Sequence, residues 1–115
     1  IDAHPLRQIG DVHVATGNFE AAYGTYSQAL IHAEGGQDAQ RVSEIHDYLG
    51  FCHRRLGDYG KAIEHHRRAL ESAEGIADAD ARLRARARSL NHLGICTAKL
   101  AEAAAGENNR PKAVE

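Results

Sequence analysis

A punctuation of glycines and small residues recurs along the chain at a fixed interval. Ile9-Gly10 is followed by Gly17-Asn18-Phe19, Ala22 and Ala29-Leu30. Forty residues on, the same columns read Leu49-Gly50, Gly57-Asp58-Tyr59, Ala62 and Ala69-Leu70. A third, partial copy opens 44 residues later at Leu93-Gly94. Self-similarity at this period specifies stacked supersecondary units rather than one closed core. Arrays of that kind present extended surfaces more often than enclosed catalytic pockets.

The punctuation also sets the elements. Pro5 suits the first turn of a helix, where its missing N–H is not required, and Gly17 suits the left-handed residue that ends it. Asn18 is placed to cap a second helix from Phe19 to about Glu34, stopped by Gly35-Gly36. Asp38 caps a third ending before Gly57, Asp58 a fourth ending near Gly75. A fifth follows Asp78 or Asp80 and runs to about Ala105, before Gly106. The apolar spacing fits helix pairs: Leu6, Ile9, Val12 and His13 share a stripe, as do Leu49, Cys52 and Leu56, facing Tyr59, Ala62, Ile63, His66 and Leu70. Period-two alternation, the signature of strands, is absent from the sequence.

These columns resemble those of the tetratricopeptide repeat family. Its helix hairpins carry a large residue, then Leu-Gly, then an aromatic, and later Ala, aromatic and Ala. The first large column here is Leu6, His46 and Leu90; the Leu-Gly column is Ile9-Gly10, Leu49-Gly50 and Leu93-Gly94. The column after it is His13, His53 and Thr97, and the second-helix columns are Ala22-Tyr26-Ala29 and Ala62-His66-Ala69. The resemblance implies an all-α, right-handed solenoid of antiparallel hairpins: two complete repeats (about 4–36 and 38–76) and a fifth helix (78–105), followed by a flexible tail over 106–115. The interval exceeds the family's usual 34 residues or so. Glu34 and Glu74 stand where its closing proline would be. Such long units are similar to the arrays of bacterial transcription regulators and signalling ATPases.

The same resemblance implies where a partner would sit. In this family the first helix of each hairpin lines a concave groove. The corresponding positions are Arg7, Gln8 and Asp11, then Asp47, Tyr48, Phe51, Arg54 and Arg55, then Arg88, Asn91, His92 and Lys99. Tyr48 and Phe51 would anchor a peptide, and the arginines would contact carboxylates. Some family members clamp a terminal carboxylate. Of the clamp positions here (Arg7, Asp11, Tyr48, Arg88 and His92) only the arginines suit that task, and Asp11 opposes it.

Chemistry of other kinds finds little purchase. His92 and Cys96 are four apart, a spacing that serves zinc sites, and His46 and His53 share a helical face. But Cys96 and Cys52 occupy the column of Val12, which cannot ligate, so that column asks for a small apolar residue. No metal and no cofactor is therefore expected. His13 and His53 replace an aromatic, and partly buried rings hydrogen-bonded across the repeat are the expectation. No nucleophile motif, phosphate loop or paired carboxylates stand out, and catalysis by this segment is not expected. The net charge of −2 argues against nucleic acid. The run Arg82, Arg84, Arg86 and Arg88 reads as a solvated face opposite Asp78 and Asp80. No apolar run is long enough to span a membrane. Two cysteines in separate hairpins suggest free thiols and a cytoplasmic setting. The chain contains no Met, which suggests a fragment of a longer protein.

The open end completes the expectations. The fifth helix bears more apolar surface than one neighbour covers, and 106–111 is poor in helix formers. Leu90, Ile95 and Leu100 are therefore expected to mediate self-association or to dock a further segment of the parent chain. The functional expectation is a non-enzymatic protein- or peptide-interaction module of a larger bacterial regulatory protein. The alternative is a peptide-sensing segment of a signalling ATPase or other enzyme whose chemistry lies elsewhere.

Overall fold

The computed structural model describes residues 4–109, which form five helices and no strand: α1 (His4–Ala15), α2 (Phe19–Gly35), α3 (Ala39–Arg55), α4 (Tyr59–Ala73) and α5 (Ala79–Asn109). Each packs on its successor, and α3 also reaches α5, giving an elongated solenoid-like stack of 59 × 29 × 20 Å.

The hairpins are turned by the two glycines that sequence periodicity singles out. Gly17 and Gly57 sit at φ +80° and +86°, a region only glycine enters without a Cβ penalty. Around them the same bonds repeat: Asn18 N–H to His13 O and Gly17 N–H to Val14 O, then Asp58 N–H to His53 O and Gly57 N–H to Arg54 O. Those crossed bonds satisfy the last carbonyls of α1 and α3. The α2–α3 connection uses the same motif differently from the expectation. Gly35 remains helical, Gly36 is right-handed, and Gln37 takes the left-handed position at φ +54°. Asp38, Asp58 and Asp78 cap through Oδ to the N–H groups of Arg41, Lys61 and Ala81. Asn18 makes no side-chain cap bond.

At the other end a turn fails to form, and the sequence explains why. In the third copy Ala101 replaces the turning glycine, and Glu102-Ala103 replaces Asn18-Phe19 and Asp58-Tyr59. With no left-handed residue and no cap, α5 continues through Gly106 to Asn109. One glycine costs a helix only about 1 kcal/mol. The expected stop before Gly106 is thus corrected for residues 106–109, while the rest of the expected tail, 110–115, lies outside the described residues.

Packing follows the small–large–small grammar. Ala22, Tyr26, Ala29, Ala33, Ile45, Leu49 and Cys52 form one buried cluster, and Ala73, Ile76, Ala81 and Ala85 another. Gly10 and Gly50 are each covered by the ring of the following helix, Tyr26 and His66. The stripe expected on the first helix is only partly buried. Leu6 packs, whereas Ile9 and Val12 are 50% and 61% exposed, because among the described residues no hairpin stacks before α1. Leu56, at the last turn of its stripe, is exposed too.

Candidate functional site: a cleft walled by the first helices

A cleft of about 560 Å³ opens between α1, α3 and α5, with Tyr26 of α2 also lining it. Its walls are Arg7, Asp11 and Val14 from α1, Glu44, Asp47, Tyr48 and Phe51 from α3, and Arg88 and His92 from α5. The volume falls in the range of small-ligand pockets, roughly 300–1,000 Å³. Tyr48 stacks on Tyr26 with centroids 5.1 Å apart and planes 17° apart, forming an aromatic shelf. The Tyr26 hydroxyl donates to the Asp11 carboxylate. Burial, that bond and the Asp11 charge together push the Tyr26 phenol well above its ordinary range. Arg7 pairs with Glu44 at 3.3 Å.

Asp47 is the hub of the site. It is 2% exposed and joins three helices. Its Oδ1 lies 2.8 Å from His66 Nδ1, while Oδ2 accepts from Arg88 Nε at 2.7 Å and from Ser89 Oγ at 2.9 Å. Burial alone would raise this carboxyl. The three hydrogen bonds and the Arg88 charge outweigh it and hold the group below the usual carboxylate range. His66, fully buried, stacks on His92 with centroids 4.8 Å apart and planes 5° apart. Asp47 lines the cleft where the first-helix mapping puts it, and its oxygens hold α3, α4 and α5 together.

The remaining groove positions divide. Arg7, Asp11, Tyr48, Phe51, Arg88 and His92 come together on the cleft as the first-helix mapping anticipates. Arg54 lies over the Phe51 ring at 5.1 Å and Arg55 over Phe19, and neither lines the cleft. Asn91 is exposed outside the cleft, and Lys99 pairs with Glu102 further along α5. Val14, Tyr26 and Glu44 also line the cleft, at positions the first-helix mapping does not mark. Tyr26 was legible only as a packing residue, and Glu44 becomes relevant through Arg7, 37 residues away. The arginine run does not face Asp78 and Asp80: Arg86 makes two bonds to Glu74, Arg82 donates to Ile76 O, and Arg88 joins the hub. Leu90 and Leu100 are exposed, Ile95 is half-buried. At about 100° per residue, their five-residue spacing scatters the three around α5 rather than along one face.

Behind the cleft lies a cluster of imidazoles. His46 Nδ1 and His65 Nδ1 are 3.2 Å apart, His53 stacks on His65 at 5.3 Å, and Tyr23 packs edge-on to His53 at 4.7 Å. His53 is thus held by ring contacts rather than by the anticipated hydrogen bond. No group of three potential metal ligands exists among the described residues. Cys52 and Cys96 are buried free thiols, both raised by desolvation. Burial lowers His46, His53 and His65, the last to about 4 with help from the surrounding imidazoles and Arg68. A base depressed in the folded state costs nothing while the unfolded chain is also neutral. The stability loss therefore begins as pH falls below the ordinary histidine value of about 6.5 and grows until the folded pKa near 4 is reached. The melting temperature is expected to drop by several degrees between pH 7 and pH 5, and His65→Gln to flatten that slope. An unchanged melting temperature across the interval would contradict the buried, neutral cluster.

The family model described as tetratricopeptide repeat matches residues 2–75. Among solved structures, the crystal structure of the TPR domain of Arabidopsis FLU is similar in fold, with a TM-score of 0.58 at 20% identity. The match covers 87% of this chain and 95% of that one. No curated protein sequence matches significantly.

Proposed function

The chain belongs to the tetratricopeptide repeat family, and from that premise we propose that it takes a peptide in the cleft between α1, α3 and α5. Repeats of this family generally mediate protein–protein interaction and are typically non-catalytic. The observation that carries the reading is the state of the cleft's polar groups. Four of its charges are paired inside the wall (Arg7 with Glu44, Asp47 with Arg88) and Asp11 accepts from the Tyr26 hydroxyl, while Tyr48 and Phe51 present ring surface. That combination suits an uncharged peptide that lays an apolar side chain against the shelf. It does not suit a bare carboxylate, which would sit beside Asp11 and Glu44. The buried free thiols support a reducing compartment, and the long repeat unit supports placement in a larger bacterial regulator.

A displayed library of random peptides selected on the chain tests the reading. Selected sequences are expected to share an aromatic or aliphatic anchor. Phe51→Ala should weaken them at least tenfold, about 1.4 kcal/mol, as truncation of a central anchor does. If Phe51→Ala and Tyr48→Ala both bind with wild-type affinity, the cleft is not the site.

A further inference from the structure

The face of α5 opposite the body is apolar and uncovered among the described residues. Ala81, Ala85, Ser89 and Cys96 are buried against the stack. On the other side, at three- and four-residue spacing, run Leu83, Ala87, Leu90, Gly94, Ala98, Ala101 and Ala105, all exposed. Leu83 and Leu90 are 58% and 56% exposed. Gly94 repeats the column of Gly10 and Gly50. A Cβ at Gly50 would fall 2.6 Å from the covering His66 ring, whereas one at Gly94 meets nothing within 4 Å. The position that serves two earlier helix contacts is thus vacant on α5, and the internal stacking surface continues unpaired.

We propose that a second copy of the chain fills it, its α5 running antiparallel, with Leu90 of each copy seated on Gly94 of the other. The stripe is self-complementary only in that direction. Its N-terminal half supplies the large side chains, Leu83 and Leu90, and its C-terminal half the small ones, Gly94, Ala98, Ala101 and Ala105. Antiparallel packing therefore sets leucine against glycine and alanine. It also keeps apart the two halves that carry Arg82, Arg84, Arg86 and Arg88. Parallel packing would set leucine on leucine and bring those arginines together. Closure by a two-fold axis presents the same patch from both copies and leaves no free repeat of the contact. The second copy approaches from the side away from α3 and α4, where the described residues leave α5 bare.

Sedimentation equilibrium and thiol cross-linking of the full chain test this. The wild type is expected to be dimeric at high micromolar concentration. Gly94→Leu should weaken association at least tenfold without lowering the melting temperature of the monomer, since space is open and leucine is the better helix former. That combination separates a lost interface from a lost fold. For orientation, Leu90→Cys mixed with Gly94→Cys should give a disulfide-linked heterodimer, while Leu90→Cys alone should not cross-link; the native thiols are buried and stay out of the reaction. A wild type that remains monomeric, a Gly94→Leu dimer of unchanged affinity, or rapid Leu90→Cys self-linking would each overturn the proposal.

Discussion

Gly50→Leu is expected to destabilise the chain severely, while Gly94→Leu, the same change in the same repeat column, leaves it intact. The difference lies in what each backbone touches. A side chain at Gly50 would begin 2.6 Å from His66 Cε1 and Nε2, inside van der Waals contact. The ring cannot swing aside: it is fully buried, bonded to Asp47 and stacked on His92. Overpacking of that kind costs about 1–3 kcal/mol, and displacing the ring would break the hub as well. Gly35→Leu serves as a second control, because Gly35 is helical with nothing near its missing Cβ. Urea midpoints report the result. Equal shifts for Gly50→Leu and Gly35→Leu would refute the close contact of α3 with α4.

The Asp47 hub carries the other large effect. Asp47→Ala should cost about 3–5 kcal/mol, the penalty for leaving buried partners of a charge unpaired. Arg88 would lose its carboxylate, and His66 and Ser89, both fully buried, would lose their bonds. Against a total stability of about 5–15 kcal/mol, that approaches unfolding. Asp47→Asn should cost less, because the amide oxygen still accepts from one donor. The wild-type contribution also has a pH signature. The carboxyl is depressed in the folded state, so its stabilisation is complete above the ordinary aspartate value and fades as pH falls below about 3.9. That window lies under the one in which the imidazole cluster acts. If Asp47→Ala shifted the urea midpoint no more than Glu64→Ala, a change in an exposed i, i+4 pair, the hub would not bind the helices together.

The architecture was legible in the sequence because it is written in local devices. Gly17 and Gly57 must turn, aspartates at 38, 58 and 78 must cap, and alanine beside a ring must pack. Each acts within one turn of helix. Legibility failed where the outcome depends on residues far away or absent. Asp47 reads as a solvated groove residue until His66, Arg88 and Ser89 arrive from 19, 41 and 42 residues along the chain. Ile9 and Val12 read as core, yet a stripe is buried only when something stacks on it. Gly35-Gly36 reads as a stop, but the motif places its left-handed residue at Gln37. Gly106 looks like a terminator, although nothing before it makes the turn. Of the cleft itself, the α1, α3 and α5 walls follow from repeat register. The pairing that neutralises them follows only from three-dimensional packing.

Chemical-shift mapping of the labelled chain, titrated with a peptide selected on it, tests the binding cleft most directly. Perturbations are expected at Arg7, Val14, Tyr48, Phe51 and His92, on three helices but one cleft. Residues on the exposed flanks of α2 and α4, such as Glu20, Glu64 and Arg67, should not move. Shifts confined to those flanks or to the Leu83–Leu90 face of α5, with Tyr48 and Phe51 unmoved, would contradict it.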